Sequence, residues 1–261
     1  MMLRSLVAGS LAVLVVSLAV LSGWQWYGSA DDVIQSEALG GPREYRVFNP
    51  GSHTRIVYVL DGQSLRNGLA SAVIFSVTAF LRGEELPKIV AIESPKSRDE
   101  DFRPERSTPA SWRPTIAGRS DRYDAFLVRE LFPSIESRPF IRSERYLVGH
   151  SLSGLYALDF AVRHPELLDG VIAYAPTISH DTSIVKRLPS ICGHTHKTYA
   201  NWGLESERDT KVFENAADYW VKAEHCRKNP PVIARHFLSI HQTSMLTGQV
   251  DVALRFLNSN K

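Results

Sequence analysis

The chain has 261 residues, 44% of them hydrophobic and 22% charged, with 16 Gly and 14 Pro. That composition excludes disordered, collagenous and coiled-coil classes, and the length suits one or two globular domains. Thirty Lys and Arg against 28 Asp and Glu leave a formal charge of +2, too little for a general footprint on a phosphate backbone, so nucleic acid is not an expected partner.

Residues 1–30 carry a single charge, Arg4, ahead of an apolar run over 5–21 and then Gly28-Ser29-Ala30. Small residues before Asp31 fit a secretory signal cut after Ala30. The length of the run and the rings of Trp24, Trp26 and Tyr27 fit an uncleaved anchor, the rival reading. Either reading exports residues 31–261 as one domain, periplasmic or extracellular, with membrane contact only through 1–30 if they are retained.

Beyond the leader the pattern alternates. An edge strand is expected at 43–47, a β-branched strand at 55–60 ending on Asp61-Gly62, a helix over 68–81 and a short buried strand at 88–92. A polar segment, 93–120, with Pro95, Pro104, Pro109 and Pro114, has no period; loops this long inside a compact domain are usually functional. A helix over 121–135, a strand at 145–148, a helix over 152–162 and strands at 171–175 and 197–202 follow. Helices over 212–224 and 250–257 flank a last strand at 232–238. Strand and helix in alternation imply right-handed crossovers, a mostly parallel sheet with helices on both faces, and functional groups at the carboxyl ends of the strands.

The 145–148 strand runs into Gly149-His150-Ser151-Leu152-Ser153-Gly154 and then a helix. A nucleophilic serine on such a strand-to-helix elbow sits on strained backbone and needs small residues two before and two after. Gly149 and Ser153 satisfy this, although the usual motif has glycine at the second place. Here the chain resembles the esterases of the α/β-hydrolase superfamily, in particular the esterase-D-like group that includes siderophore (enterobactin-type) esterases. The resemblance runs from about residue 43 to the C-terminus. It is carried by VYVLDG at 57–62, by RDEDFRP at 98–104, which is similar to that group's R-x-x-D-F/Y-x-P loop, by GHSLSGLYAL, and by HPELLDGVIAYAP at 164–176. It implies the α/β-hydrolase fold, ester hydrolysis and a Ser, acid, His order along the chain.

Of the downstream histidines, His164 reads as a helix-terminal cation, His225 falls on a helix and His236 inside a strand. His241 follows the last strand, where a catalytic base belongs and where the resemblance also places it. Its acid partner is expected just past the 197–202 strand. Glu205 is nearest and matches the resemblance, Glu207 is the alternative because both would project to one side of an extended segment, and Asp181 is more remote. The candidate oxyanion-hole donors are the backbone N–H of Leu152 and that of Gly62 or Gln63.

Cys192 and Cys226 can form one disulfide in an oxidising compartment. Cys192-Gly193-His194-Thr195-His196 has metal-ligand residue types but no second cluster, so no metal is expected. No glycine-rich phosphate loop occurs, and no cofactor is implied. Arg98, Arg103 and Arg106 suit an acidic substrate group, but Asp99, Glu100, Asp101 and Glu105 are expected to neutralise them within the loop. The reading is therefore a serine carboxylic-ester hydrolase for a small-molecule ester, with acyl transfer on the same residues, or a non-catalytic binding protein, as alternatives.

Overall fold

A computed structural model describes residues 30–255 apart from 64, 82, 95–97, 106, 137–142, 195–196 and 242. The expected leader, 1–30, thus lies outside the described residues except at Ala30, as do Arg106 and His196.

Among the described residues eight strands form one sheet: β1 (Ala30–Ser36), β2 (Gly41–Phe48), β3 (Arg55–Val59), β4 (Lys88–Ile92), β5 (Glu144–His150), β6 (Gly170–Tyr174), β7 (Lys197–Leu204) and β8 (Val232–Ile240). Their order is β1-β2-β4-β3-β5-β6-β7-β8. The pairs β1·β2 and β2·β4 are antiparallel and the rest parallel. The expected mostly parallel α/β sheet is present, with one correction. The strand at 43–47 is not the edge, because β1 pairs outside it from Ala30↔Val47 to Ser36↔Gly41. ADDVIQS lacks the hydrophobic alternation that marks a strand, since an edge strand buries little.

Burial explains the helices. Helix α1 (Ala70–Leu81) is entered through a π-helical turn, Leu65–Leu69, and packs Ala72 and Phe75 under the β3, β4 and β5 side chains Val57, Ala91 and Val148. On the other face lie α3 (Ser120–Ala125), a π-helical stretch Phe126–Leu131 and α4 (Phe132–Ile135), then α5 (Leu152–Arg163). Helix α5 is buried from Leu152 through Ala161, because it lies between the sheet and the surrounding helices. Helix α6 (Glu207–Lys222) buries only Phe213, Ala216 and Trp220, the i, i+3, i+7 stripe of a surface helix. Helix α7 (Ser244–Arg255) returns to the α1 face, where Met245 and Val252 join the same cluster as Phe75.

The 93–120 segment, which contains the short helix α2 (Arg98–Asp101), is docked at both ends. Phe102 enters the core beside Tyr123 and Tyr156, with ring centroids 5.0 and 5.3 Å away. Asp101, wholly buried, is held by Arg119 at 2.8 Å and Arg43 at 3.5 Å. Farther along, Arg113 makes two 2.8 Å bonds to Asp209 of α6, and the Ala110 N–H donates to Ser179. The segment is a strap pinned across the carboxyl ends of the strands.

Cys192 and Cys226 are disulfide-bonded and buried, joining the 3-10 turn Leu188–Gly193 to the turn after α6. Cys192 is therefore not available as a metal ligand. Closing a loop over a separation of 34 residues should stabilise the fold by about 4 kcal/mol through the unfolded chain. Cys192→Ser with Cys226→Ser should lower the urea midpoint by a corresponding amount, and dithiothreitol should do the same to the unmutated chain; equal midpoints would refute the estimate.

Candidate active site

Ser151 stands between β5 and α5 with φ 61° and ψ −120°, a conformation that L side chains rarely adopt. Three hydrogen bonds enforce it. Its N–H donates to the Tyr174 carbonyl at 2.9 Å, and its carbonyl accepts from Leu155 at 3.0 Å and Thr177 at 3.2 Å. Gly149 is required here, since a Cβ on it would lie 2.1 Å from the Ser153 carbonyl oxygen.

Ser153 is buried, and its hydroxyl is engaged on two sides. It accepts the His150 N–H at 3.0 Å and donates to Asp61 Oδ2 at 2.7 Å. Asp61, itself at φ 56°, receives a two-pronged bond from Arg98, both contacts 2.7 Å. The serine standing where the elbow motif has glycine thus links the elbow to the β3 turn and the strap. This corrects the expectation that the strap arginines are neutralised within their own loop: the principal partner of Arg98 is Asp61, with Asp99 at 3.7 Å.

His241 follows β8 directly. Its Nδ1 lies 2.9 and 3.0 Å from the two carboxylate oxygens of Glu205, which follows β7. The His241 carbonyl accepts from Ser244 Oγ at 2.7 Å and faces His150 Nε2 at 2.8 Å, so the loop is fixed against the residue preceding Ser151. Glu207 does not share this side. Helix α6 begins there, Ser206 caps it by accepting the Asp209 N–H, and Glu207 bonds Lys211 one turn on in solvent. The two-residue extended spacing fails because the strand has already ended. Asp181 is also engaged elsewhere: its Oδ1 accepts from Thr108 N–H and from Ser183.

Among the oxyanion candidates, the Gly62 N–H donates to the Ile92 carbonyl at 2.7 Å and is spent. Gly62 is glycine because a Cβ would lie 2.5 Å from the Ala91 carbonyl carbon. Gln63 is the next residue, its side chain paired with the Ser94 backbone. The Leu152 N–H lies in the first turn of α5, where no intrahelical acceptor reaches it. His164, expected as a cation at the end of α5, sits 2.9 Å from Asp124, yet burial and then Arg163 hold it below the ordinary imidazole range. His236 lies in β8 on Tyr199, and His225 in the turn after α6.

The roles of Asp61, His150 and the Arg113–Asp209 latch in holding the site are not evident from the sequence. A signal existed only for Asp61, whose pairing with glycine marks a left-handed turn.

No curated protein sequence matches the chain. Among solved structures, the siderophore hydrolase EstA from Aspergillus nidulans superposes with TM-score 0.67 at 18% identity, covering 90% of this chain and 95% of that one. An IroE-like serine hydrolase from Shewanella oneidensis gives 0.71 at 21%, covering 86% and 78%. The BES protein from Bacillus cereus gives 0.70 at 19%, covering 88% and 95%. These likenesses show the fold. The family profile described as "Putative esterase" matches residues 36–237, most of the chain, and so the chain belongs to that esterase family of the α/β-hydrolase superfamily, an enzyme class that hydrolyses carboxylic esters.

Proposed function

We propose that the protein is a serine esterase in which Ser151 attacks the ester carbonyl, His241 is the general base and Glu205 orients it. The observation that carries this reading is the Glu205–His241 pair in a loop fixed against His150, the residue preceding a serine held at positive φ. As the Ser151 Oγ–carbon bond forms, its proton passes to His241 Nε2, while the Nδ1–H donates to Glu205 and fixes the tautomer. The oxyanion takes the N–H groups of Leu152 and Gln63, Gly62 being engaged. Collapse breaks the bond to the leaving alcohol, which takes the proton from His241. Water then repeats the sequence on the acyl-enzyme and releases the acid.

Fluorophosphonate labelling of the full 261-residue chain tests the reading. One adduct on the Ser151 peptide, absent from Ser151→Ala, is the expected result; a folded chain that takes no label overturns it. Turnover of an aryl ester that rises only when an alcohol acceptor is added would mark acyl transfer instead of hydrolysis.

We further infer that residues 31–261 work outside the cytoplasm as one domain. The buried Cys192–Cys226 bridge supports this, since such bonds persist in oxidising compartments. Among the described residues no helix is long and apolar enough to cross a membrane.

A further inference from the structure

Near the carboxyl end of β7 a wholly buried amide, Asn201, stands between the buried apolar residues Ala200 and Trp202. Burying an amide costs free energy unless both its ends are bonded, and an apolar side chain of the same shape would fill the space without that cost. Both ends of Asn201 are bonded, each to a different part of the site. Its Oδ1 accepts the Ala175 N–H at 3.2 Å. Ala175 lies in the turn after β6, between Tyr174, whose carbonyl accepts the Ser151 N–H, and Thr177, whose N–H donates to the Ser151 carbonyl. At φ 42°, Ala175 is itself on strained backbone that its surroundings must hold.

The other end of the amide reaches the base. Asn201 Nδ2 donates to the Ser244 carbonyl at 2.9 Å, in the first turn of α7. The Ser244 hydroxyl in turn donates to the His241 carbonyl, the same oxygen that faces His150 Nε2. The orientation of the amide follows from its partners, since an N–H on one side demands an acceptor and a carbonyl on the other demands a donor. Helix α7 approaches closely at Gly248, where a Cβ would lie 2.4 Å from Asn201 Nδ2. Neither partner depends on this side chain for its own hydrogen bonding. The Ala175 N–H also donates to the Asn201 backbone carbonyl at 2.8 Å, and the Ser244 carbonyl also accepts from Thr247 Oγ1 at 3.1 Å. What the amide adds is a tie between two segments, one clasping Ser151 and the other carrying His241.

We propose that Asn201 is a positioning residue: its side chain bridges the turn that clasps Ser151 and the loop that carries His241, and so keeps nucleophile and base in register. The inference rests on the Ser151–His241 reading above and goes beyond it, since Asn201 acts only through the main-chain groups of Ala175 and Ser244. Proton transfer depends steeply on the separation and alignment of the two groups, and a displacement of about 1 Å costs about 100-fold in rate. His150 ties the same His241 carbonyl to the strand side of the elbow, and Asn201 ties its loop to the β6 side.

The test is Asn201→Leu in the full chain, which keeps the shape of the side chain and removes both bonds. On an aryl ester kcat should fall about 10- to 100-fold with KM within about twofold of the parent, and fluorophosphonate labelling of Ser151 should slow by a similar factor. The acid limb of the kcat/KM profile should stay where it is in the parent, because Glu205 still holds His241 Nδ1. A side chain serving stability alone would lower the urea midpoint and leave kcat of the folded fraction as it was. That result overturns the proposal, as does an acid limb that moves, which routes the effect through Glu205. Should Asn201→Leu not fold, Asn201→Ala, which only removes atoms, carries the same expectations. Ser244→Ala checks the route: combined with Asn201→Leu, its loss should fall short of the product of the two single losses, and losses that multiply overturn the route through Ser244. If the parent takes no label and turns over no ester, the hydrolase reading has failed, and backbone amide relaxation decides the bridge. His241, Ser244 and Thr177 should then gain millisecond exchange broadening in Asn201→Leu; unchanged signals overturn it.

Discussion

Ser151→Ala is expected to lower kcat on an aryl ester by about 10⁴-fold or more while leaving the fold intact. The alanine keeps the Cβ and all three backbone bonds at the elbow, so circular dichroism and the thermal transition should scarcely change. Ser151→Gly separates the catalytic loss from the backbone strain. Glycine adopts φ 61° without penalty, so this variant should be as inactive as the alanine yet more stable by about 1 kcal/mol in urea titration. An Ala variant retaining more than a few per cent of activity would remove Ser151 from the chemistry. A Gly variant less stable than the parent would show that the elbow is not strained.

The second large effect separates the two glutamates. Glu205→Gln keeps the size of the side chain but presents an amide that can hold the wrong imidazole tautomer, and kcat should fall by about 10³- to 10⁴-fold with KM little changed. Glu207→Gln should change kcat by less than about twofold, because its carboxylate is 83% exposed and meets only Lys211. Equal losses in both variants would mean that the acid acts through the general charge of the loop. A loss confined to Glu207 would overturn the Glu205–His241 pairing.

Much of the architecture was legible because buried parallel strands advertise themselves. KIVAI is buried at all five positions, and GVIAY likewise, so β4 and β6 read as short uninterrupted apolar runs. The elbow was legible from Gly149 and the small residue at 153 around Ser151. Glu205 and His241 could be placed because each follows a strand end, but choosing between Glu205 and Glu207 required knowing where β7 stops and α6 starts. That boundary depends on the Ser206 cap and carries little hydrophobic signal. The outer strand β1 was missed for a related reason, as half its face is solvent. The pairs Arg98–Asp61 and Arg113–Asp209 span 37 and 96 residues of sequence, and charge complementarity at that range has no local pattern to betray it.

The Asp61–Ser153 bond also sets a rule for exchanging specificity loops between relatives. The strap lies across the carboxyl ends of the strands and is the natural segment to transplant, yet its Arg98 is the counter-ion of an aspartate that belongs to the scaffold. A grafted strap lacking an arginine in that place would leave Asp61 almost buried, at positive φ and bonded only through Ser153 on its Oδ2. The elbow would then hold an uncompensated carboxylate against Ser153, two residues after Ser151. Donor loops must therefore bring their own arginine, or residues 61 and 153 must be exchanged with them as one unit.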